Sequence, residues 1–405
     1  MTHYEPTWTS LSSHPMPRWL RDAKLGIYTH WGPYSVAGYG GNRKFINGSW
    51  YARHMYLEGR AERVHHGKHF GEPTPSHGYK DMIPRFTAER FDAAQWAELF
   101  ARSGAKFAGP VAIHHDNFAM WDSKINPWNA AAMGPKRDIT GELAEAVRGQ
   151  GMRFIATFHH AYNWWFFPKS EDLDTLDPES EMLYSRRKEP LDLPDERFHD
   201  DWLGMIQEVV EGYEPDLIWF DFGLGWLRDR YRRAMLAHYY NWAAQRGREV
   251  AVTYKKTGAG YNLPPLTAML DFEMGKMNEL TAYPWLTDSS IDTGPGGSWS
   301  HVANVGFKSA ERLVHNLVDR VSKNGYLLLN VGPRGDGSIP QGAQEALEKL
   351  GDWLAINGEA VFGTVPWIIG VAGPTGGAAS GSFNEGSELR FNSSDIRYTA
   401  KDDCL

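Results

Sequence analysis

The chain has 405 residues, a hydrophobic fraction of 42% and 42 basic against 50 acidic side chains, a formal charge of −8. That balance is globular: it excludes a disordered or fibrous chain, and without a Lys/Arg-rich run it excludes the electrostatic footprint of a nucleic-acid binder. Cys404 is the only cysteine, which excludes an intrachain disulfide and any Cys-ligated metal cluster.

In chain order, eight short apolar runs rich in β-formers occupy residues 24–32, 106–115, 153–160, 217–222, 249–256, 268–275, 285–291 and 326–333. Amphipathic stretches predict helices over 91–103, 139–149, 202–212, 231–245, 310–323 and 342–356. Strands that alternate with helices and read as near-continuous apolar runs belong to a parallel sheet covered on both faces. The pattern predicts an α/β fold, a (β/α)8 TIM-like barrel over residues 1–360, irregular between the fifth and seventh strands, where little chain is left for helices. Residues 361–405 read as a Gly/Ser-rich linker followed by the start of a C-terminal β domain or a small β appendage. No stretch reaches the roughly 18 apolar residues of a membrane span, and the N-terminus lacks the apolar run of a signal peptide. The expectation is a soluble chain without a membrane partner, cytoplasmic unless a leader has been removed; the oligomeric state is not legible.

Catalytic groups of such barrels sit at the C-terminal ends of strands. Here the polar strand-end residues are His30, His114, His115, Asp116, His159, His160, Asp221, Lys255, Lys256, Asp271, Glu273, Asp288 and Asn330. Asp221 stands out within Leu217-Ile218-Trp219-Phe220-Asp221-Phe222, because an ionised carboxylate in so apolar a run is costly unless it is bonded or used. Trp219 shares its face by the period-two rule, as Asp271 shares one with Glu273. Two carboxylates across one pocket point to glycoside hydrolysis, with retention or inversion set by their separation. The neighbouring pairs His114-His115 and His159-His160 diverge while the strand stays regular, and no HxH or HExxH spacing ends a strand, so no metal is expected. Imidazoles ringed with indoles suit a sugar instead: His offers directional donors and acceptors, and Trp stacks on pyranose C–H faces. That gives a use to some of the 17 tryptophans, Trp31 and Trp219 first and Trp164 and Trp299 after them.

The chain resembles the α-L-fucosidases of glycoside hydrolase family 29. The resemblance rests on Lys24 to Gly32 with His30 and Trp31, on Trp50-Tyr51-Ala52, on His114-His115-Asp116-Asn117-Phe118 with Trp121, and on Trp219-Phe220-Asp221. It continues through Val321 to Pro333 and Asn357-Gly358-Glu359-Ala360. It implies a retaining exo-hydrolase of terminal α-L-fucose that needs no cofactor, with Asp221 as nucleophile and His30, Trp50, His114, His115, His160 and Trp219 as sugar contacts. Two departures stand out. Ser49 precedes Trp50 where the family often has Glu, and Lys255-Lys256 replaces an Arg, so that Lys256 is assigned as the cation. The family's Trp-Glu pair reads Trp285-Leu286. The acid/base is therefore assigned to Glu273, ahead of Asp288, Glu279 and Asp271. A fucose-binding lectin on the same barrel, or another exo-glycosidase, are the alternative readings.

Overall fold

The computed structural model describes residues 2–41, 46–189, 191–255, 262–375, 380–385 and 391–401. Eight parallel strands pair in chain order: β1 Leu25–Thr29, β2 Phe107–Ile113, β3 Arg153–Phe158, β4 Leu217–Phe220, β5 Ala251–Lys255, β6 Met269–Asp271, β7 Trp285–Ser290 and β8 Gly325–Val331. The barrel closes where β8 pairs with β1. Each strand coincides with one of the eight apolar runs, as the (β/α)8 expectation requires. Alternate side chains point inward. Leu217 and Trp219 of β4 join Tyr28, Val111, Ile155, Leu286 and Leu328 in the barrel interior, while Ile218 and Phe220 pack outward among helical residues such as Trp202 and Met205. Gly109 lets β2 and β3 approach closely, since a Cβ there would fall 1.8 Å from the Ile155 carbonyl oxygen.

The outer layer holds α1 Ala93–Arg102, α2 Ile139–Gly149, α3 Glu196–Tyr213, α4 Asp229–Gln245, α5 Ala310–Val321 and α6 Gln341–Asn357. The first three and the fifth start at side-chain caps: Asp92, Asp138, Asp195 and Ser309 accept from the backbone N–H groups of Gln95, Gly141, Phe198 and Arg312. Asp195 thereby starts α3 ahead of the expected residue 202, because the cap and not the first large apolar side chain sets the boundary. Among the described residues no α-helix separates β5, β6 and β7, and β6 meets β7 through the single pair Asp271 and Leu286. This is the expected irregularity. After α6, β9 Val365–Ala372 pairs antiparallel with β10 Ile396–Ala400, and Arg397 of β10 donates to Asp319 of α5 at 2.8 Å. No helix among the described residues is long and apolar enough to cross a membrane.

Candidate active site

At the C-terminal end of the barrel a cavity of about 840 Å³ is lined by His30, Trp50, His114, Asp221, Lys255, Glu273 and Trp299, with Phe222, Trp226 and Phe383 at its rim. Asp221 directly follows β4. Its backbone N–H donates to the Phe158 carbonyl at 3.1 Å, which extends the ladder by one residue and aims the side chain, like that of Trp219, into the barrel mouth. Lys255 ends β5 and holds Nζ 3.2 Å from Asp221 Oδ1, 3.1 Å from Glu273 Oε2 and 3.0 Å from Asp288 Oδ2. The same ammonium lies 5.0 Å from the ring centres of both Trp219 and Trp299. Below it, Asp288 also accepts from the Tyr28 hydroxyl at 2.9 Å. Asp271 accepts from Trp219 Nε1 at 2.6 Å and from the Asp288 backbone N–H at 2.9 Å.

One ammonium cannot balance Asp221, Glu273, Asp288 and Asp271 together, so their proton affinities separate. Burial alone would raise the Asp221 carboxyl, but Lys255 and the His115 ring outweigh it and hold the group well below the usual carboxylate range. Glu273 goes the other way: burial, with Asp288 and Asp221 adding to it against the pull of Lys255, pushes it up to about 7. Asp271 and Asp288 are raised as well, chiefly by burial. The cavity thus presents one ionised carboxylate and one carboxyl that still holds its proton near neutrality.

His30 and His114 line the cavity, and His115 and His159 are buried behind it beside Asp221. His30 Nδ1 donates to Asn330 Oδ1 at 2.8 Å; that oxygen also accepts the His30 backbone N–H at 3.0 Å, and Asn330 Nδ2 donates to the Trp299 carbonyl at 2.6 Å. This fixes the tautomer and leaves the His30 Nε2 lone pair as an acceptor. His115 Nδ1 donates to the His159 carbonyl at 2.7 Å, and its Nε2 lies 3.2 Å from Asp221 Oδ2; His159 Nε2 is 3.8 Å from the same oxygen. Burial lowers His30 to about 3 and drives His114 and His159 well below the usual imidazole range, so these three rings are neutral. Because the β2 register shifts between Val111 and Ile113, strand alternation does not carry through to His114 and His115, whose ring centres sit 4.5 Å apart beside the cavity. Ring nitrogens of His30, His114 and His159 lie within 4.8 Å of one another, a spacing that could hold a cation. No sequence spacing signals this, because the three come from the ends of β1, β2 and β3.

Two expected sugar contacts are placed elsewhere. Trp31 donates its Nε1 to the Arg334 carbonyl at 2.7 Å and packs against Phe86, Phe91 and Trp96, as part of the outer core. His160 faces α3, where its Nε2 lies 3.3 Å from the Trp202 carbonyl. Trp164 also packs outward, on Phe198. Trp50 stands at the cavity wall against His115 and Phe222, and Ser49 turns its hydroxyl to Asn47 at 2.8 Å. Trp299 covers His30. Lys256 and Cys404 lie outside the described residues. Of the acid/base candidates, Asp271 and Asp288 are fully buried, Glu279 is exposed, and Glu273 lines the cavity. Strand parity carries the signals that sequence reasoning passed over. Counting by two along β3 from inward Ile155 reaches His159, and along β5 from inward Ala251 it reaches Lys255, not Lys256. Phe383 has no such signal, since it comes from the C-terminal segment.

Over residues 1–359 the sequence matches the model of the alpha-L-fucosidase family. The chain belongs to that family. It is 32% identical to a tissue alpha-L-fucosidase of Rattus norvegicus over 377 residues, 91% of this chain and 74% of that one. It is 33% identical to the plasma alpha-L-fucosidase of Homo sapiens over 374 residues, 90% of this chain and 73% of that one. The fold superposes on the crystal structure of Thermotoga maritima alpha-fucosidase in complex with fucose with a TM-score of 0.77 at 31% identity, covering 98% of this chain and 84% of the other. As a member of the family, the chain is a glycoside hydrolase that acts on α-L-fucosides.

Proposed function

We propose that this fucosidase removes terminal α-L-fucose from glycans with retention of configuration, using Asp221 as nucleophile and Glu273 as acid/base. In the first step the Asp221 carboxylate attacks the anomeric carbon while Glu273 passes its proton to the departing glycosidic oxygen. In the second, Glu273 takes a proton from water, the resulting hydroxide equivalent attacks the fucosyl ester of Asp221, and fucose leaves with both carboxyls restored. His30 and His114 offer ring nitrogens to the hydroxyls of the sugar, Trp50 and Trp299 enclose its apolar faces, and His115, His159 and Trp219 support the Asp221 and Lys255 groups from behind.

The observation that carries this reading is the ammonium shared by the two carboxyls. Oxygens 3.2 Å and 3.1 Å from one nitrogen cannot be farther apart than those two lengths laid end to end. Two carboxyls held side by side on one cation suit a retaining pair, whose groups stand about 5–5.5 Å apart, better than an inverting pair spread to admit a water between them. A lectin, by contrast, gains nothing from holding one carboxyl ionised and its neighbour protonated. Proton NMR of an aryl α-L-fucoside digest tests the reading: α-L-fucose should form first and the β anomer only by later mutarotation. Asp221→Asn should lower kcat by at least about 10³-fold with the fold intact by circular dichroism. First appearance of the β anomer, or Asp221→Asn activity within tenfold of wild type, would remove Asp221 from this role.

A further inference from the structure

Residues 380–385 belong to the segment between β9 and β10, distant in sequence from the barrel, yet they lie along the loop that carries Glu273. Gly381 pairs antiparallel with Lys276 through backbone hydrogen bonds of 2.8 and 3.2 Å, and the Asn278 backbone N–H donates to Ser380 Oγ at 2.9 Å. The Phe383 backbone N–H donates to the carbonyl of Glu273 itself at 2.7 Å, and that of Glu385 donates to the Met274 carbonyl at 2.8 Å. The strip is anchored by the Glu385 side chain, which is 4% exposed. Its carboxylate accepts from Lys308 Nζ, from Ser289 and, at 2.8 Å, from Asn316 Nδ2, with Arg320 Nη2 3.7 Å away. Burial would raise this acid, but Lys308 and Arg320 bring it down to about 2, so the anchor stays charged wherever the enzyme works.

Two residues before the anchor, Phe383 has φ +58°, a left-handed backbone that bulky side chains rarely adopt. The residue is 60% exposed and lines the same cavity as Asp221 and Glu273. A ring held in a disfavoured conformation, by an ionic anchor, with its face left open to a cavity contributes little to any core. An acid that protonates the leaving oxygen stands on the leaving-group side of the sugar, and Phe383 is bonded to the backbone of that acid.

We infer that residues 380–385 complete the active site from the C-terminal segment, with Glu385 as the anchoring, positioning residue and Phe383 as the platform on which the sugar next to fucose stacks. The ligand is the pyranose of the leaving group, whose C–H face matches an aromatic ring. The inference rests on the assignment of Glu273 as acid/base.

The test compares a fucosyl disaccharide with α-L-fucosyl fluoride, which has no leaving sugar to stack. Phe383→Ala should lower the ratio of kcat/KM for the disaccharide to that for the fluoride about tenfold, chiefly through KM of the disaccharide. Glu385→Gln should lower the same ratio, whereas a merely structural anchor would depress both substrates alike. Should Glu385→Gln fail to fold, Phe383→Ala decides, since its side chain is solvent-facing. An unchanged ratio in Phe383→Ala overturns the inference, as does a selective loss in Trp226→Ala, at the rim beyond β4, with none in Phe383→Ala. Failure of the underlying reading looks different: Glu273→Gln would then depress kcat/KM for the disaccharide and the fluoride alike, whereas loss of the acid spares the fluoride, whose departure needs little protonation.

Discussion

Glu273 and Lys255 show how single side chains set the chemistry. An ammonium carries three protons on a tetrahedral head, and Lys255 meets three carboxyl groups at 3.0, 3.1 and 3.2 Å. A planar guanidinium, matched to one carboxylate at a time, suits that arrangement less well. Held near 7, Glu273, the proposed acid, keeps its proton at acid pH and loses it as pH rises through that value. The profile of kcat/KM, which reports the free enzyme, should therefore fall on its basic side as pH rises through about 7. Glu273→Gln should abolish that limb and cost roughly 10²–10⁴-fold on substrates with poor leaving groups. A limb that persists near 7 in the variant would assign the proton to Asp288. Asp221 was legible as a candidate from its apolar setting, whereas the places of Lys255 and His159 needed the parity of their strands.

At the scale of the element, β3 sorts two adjacent histidines to opposite fates. His159 continues the inward series from Ile155 and borders Asp221, while His160 continues the outward series of Phe158 and stacks on Trp202. His159→Ala should lower kcat/KM about 10- to 100-fold with little change in the urea midpoint. His160→Ala should instead cost about 1–3 kcal/mol of stability, from the lost packing against Trp202 and Phe158, with kcat/KM nearly unaffected. Paired urea titrations and kinetics check this, and the reverse pattern would mean a one-residue slip at the end of β3. The strands were readable because each is buried on both faces and so forms a continuous apolar run. The start of α3 was less so, because a polar cap at Asp195 decides it.

For the molecule as a whole, the many buried rings make stability depend on pH. His30, His66, His114, His159, His160 and His301 are all lowered, first by burial, so below the ordinary imidazole range the unfolded chain binds protons that the folded chain does not. Their contribution is present above about 6.5 and is lost as pH falls below it. Asp116, Asp174, Asp271, Glu273 and Asp288 are raised and act in the opposite sense, with stability lost as pH climbs above the ordinary carboxylate range. The imidazoles outnumber them, so the melting temperature should drop between pH 7 and pH 5. A midpoint by scanning calorimetry that rises over that interval would show the carboxyls dominating.

The sequence by itself determined the barrel, the place of each strand and the acid at the end of β4, because burial on both faces and strand alternation are local patterns. It also carried the family motifs from residue 24 to residue 360. Only the tertiary structure decided which groups meet. The ammonium of β5 reaches carboxyl groups from β4, β7 and the loop after β6, and the imidazole cluster collects the ends of β1, β2 and β3. Phe383 and Glu385 return from beyond β9 to the loop of Glu273. Such meetings depend on barrel closure and on backbone pairing between distant segments, and neither leaves a period in the sequence.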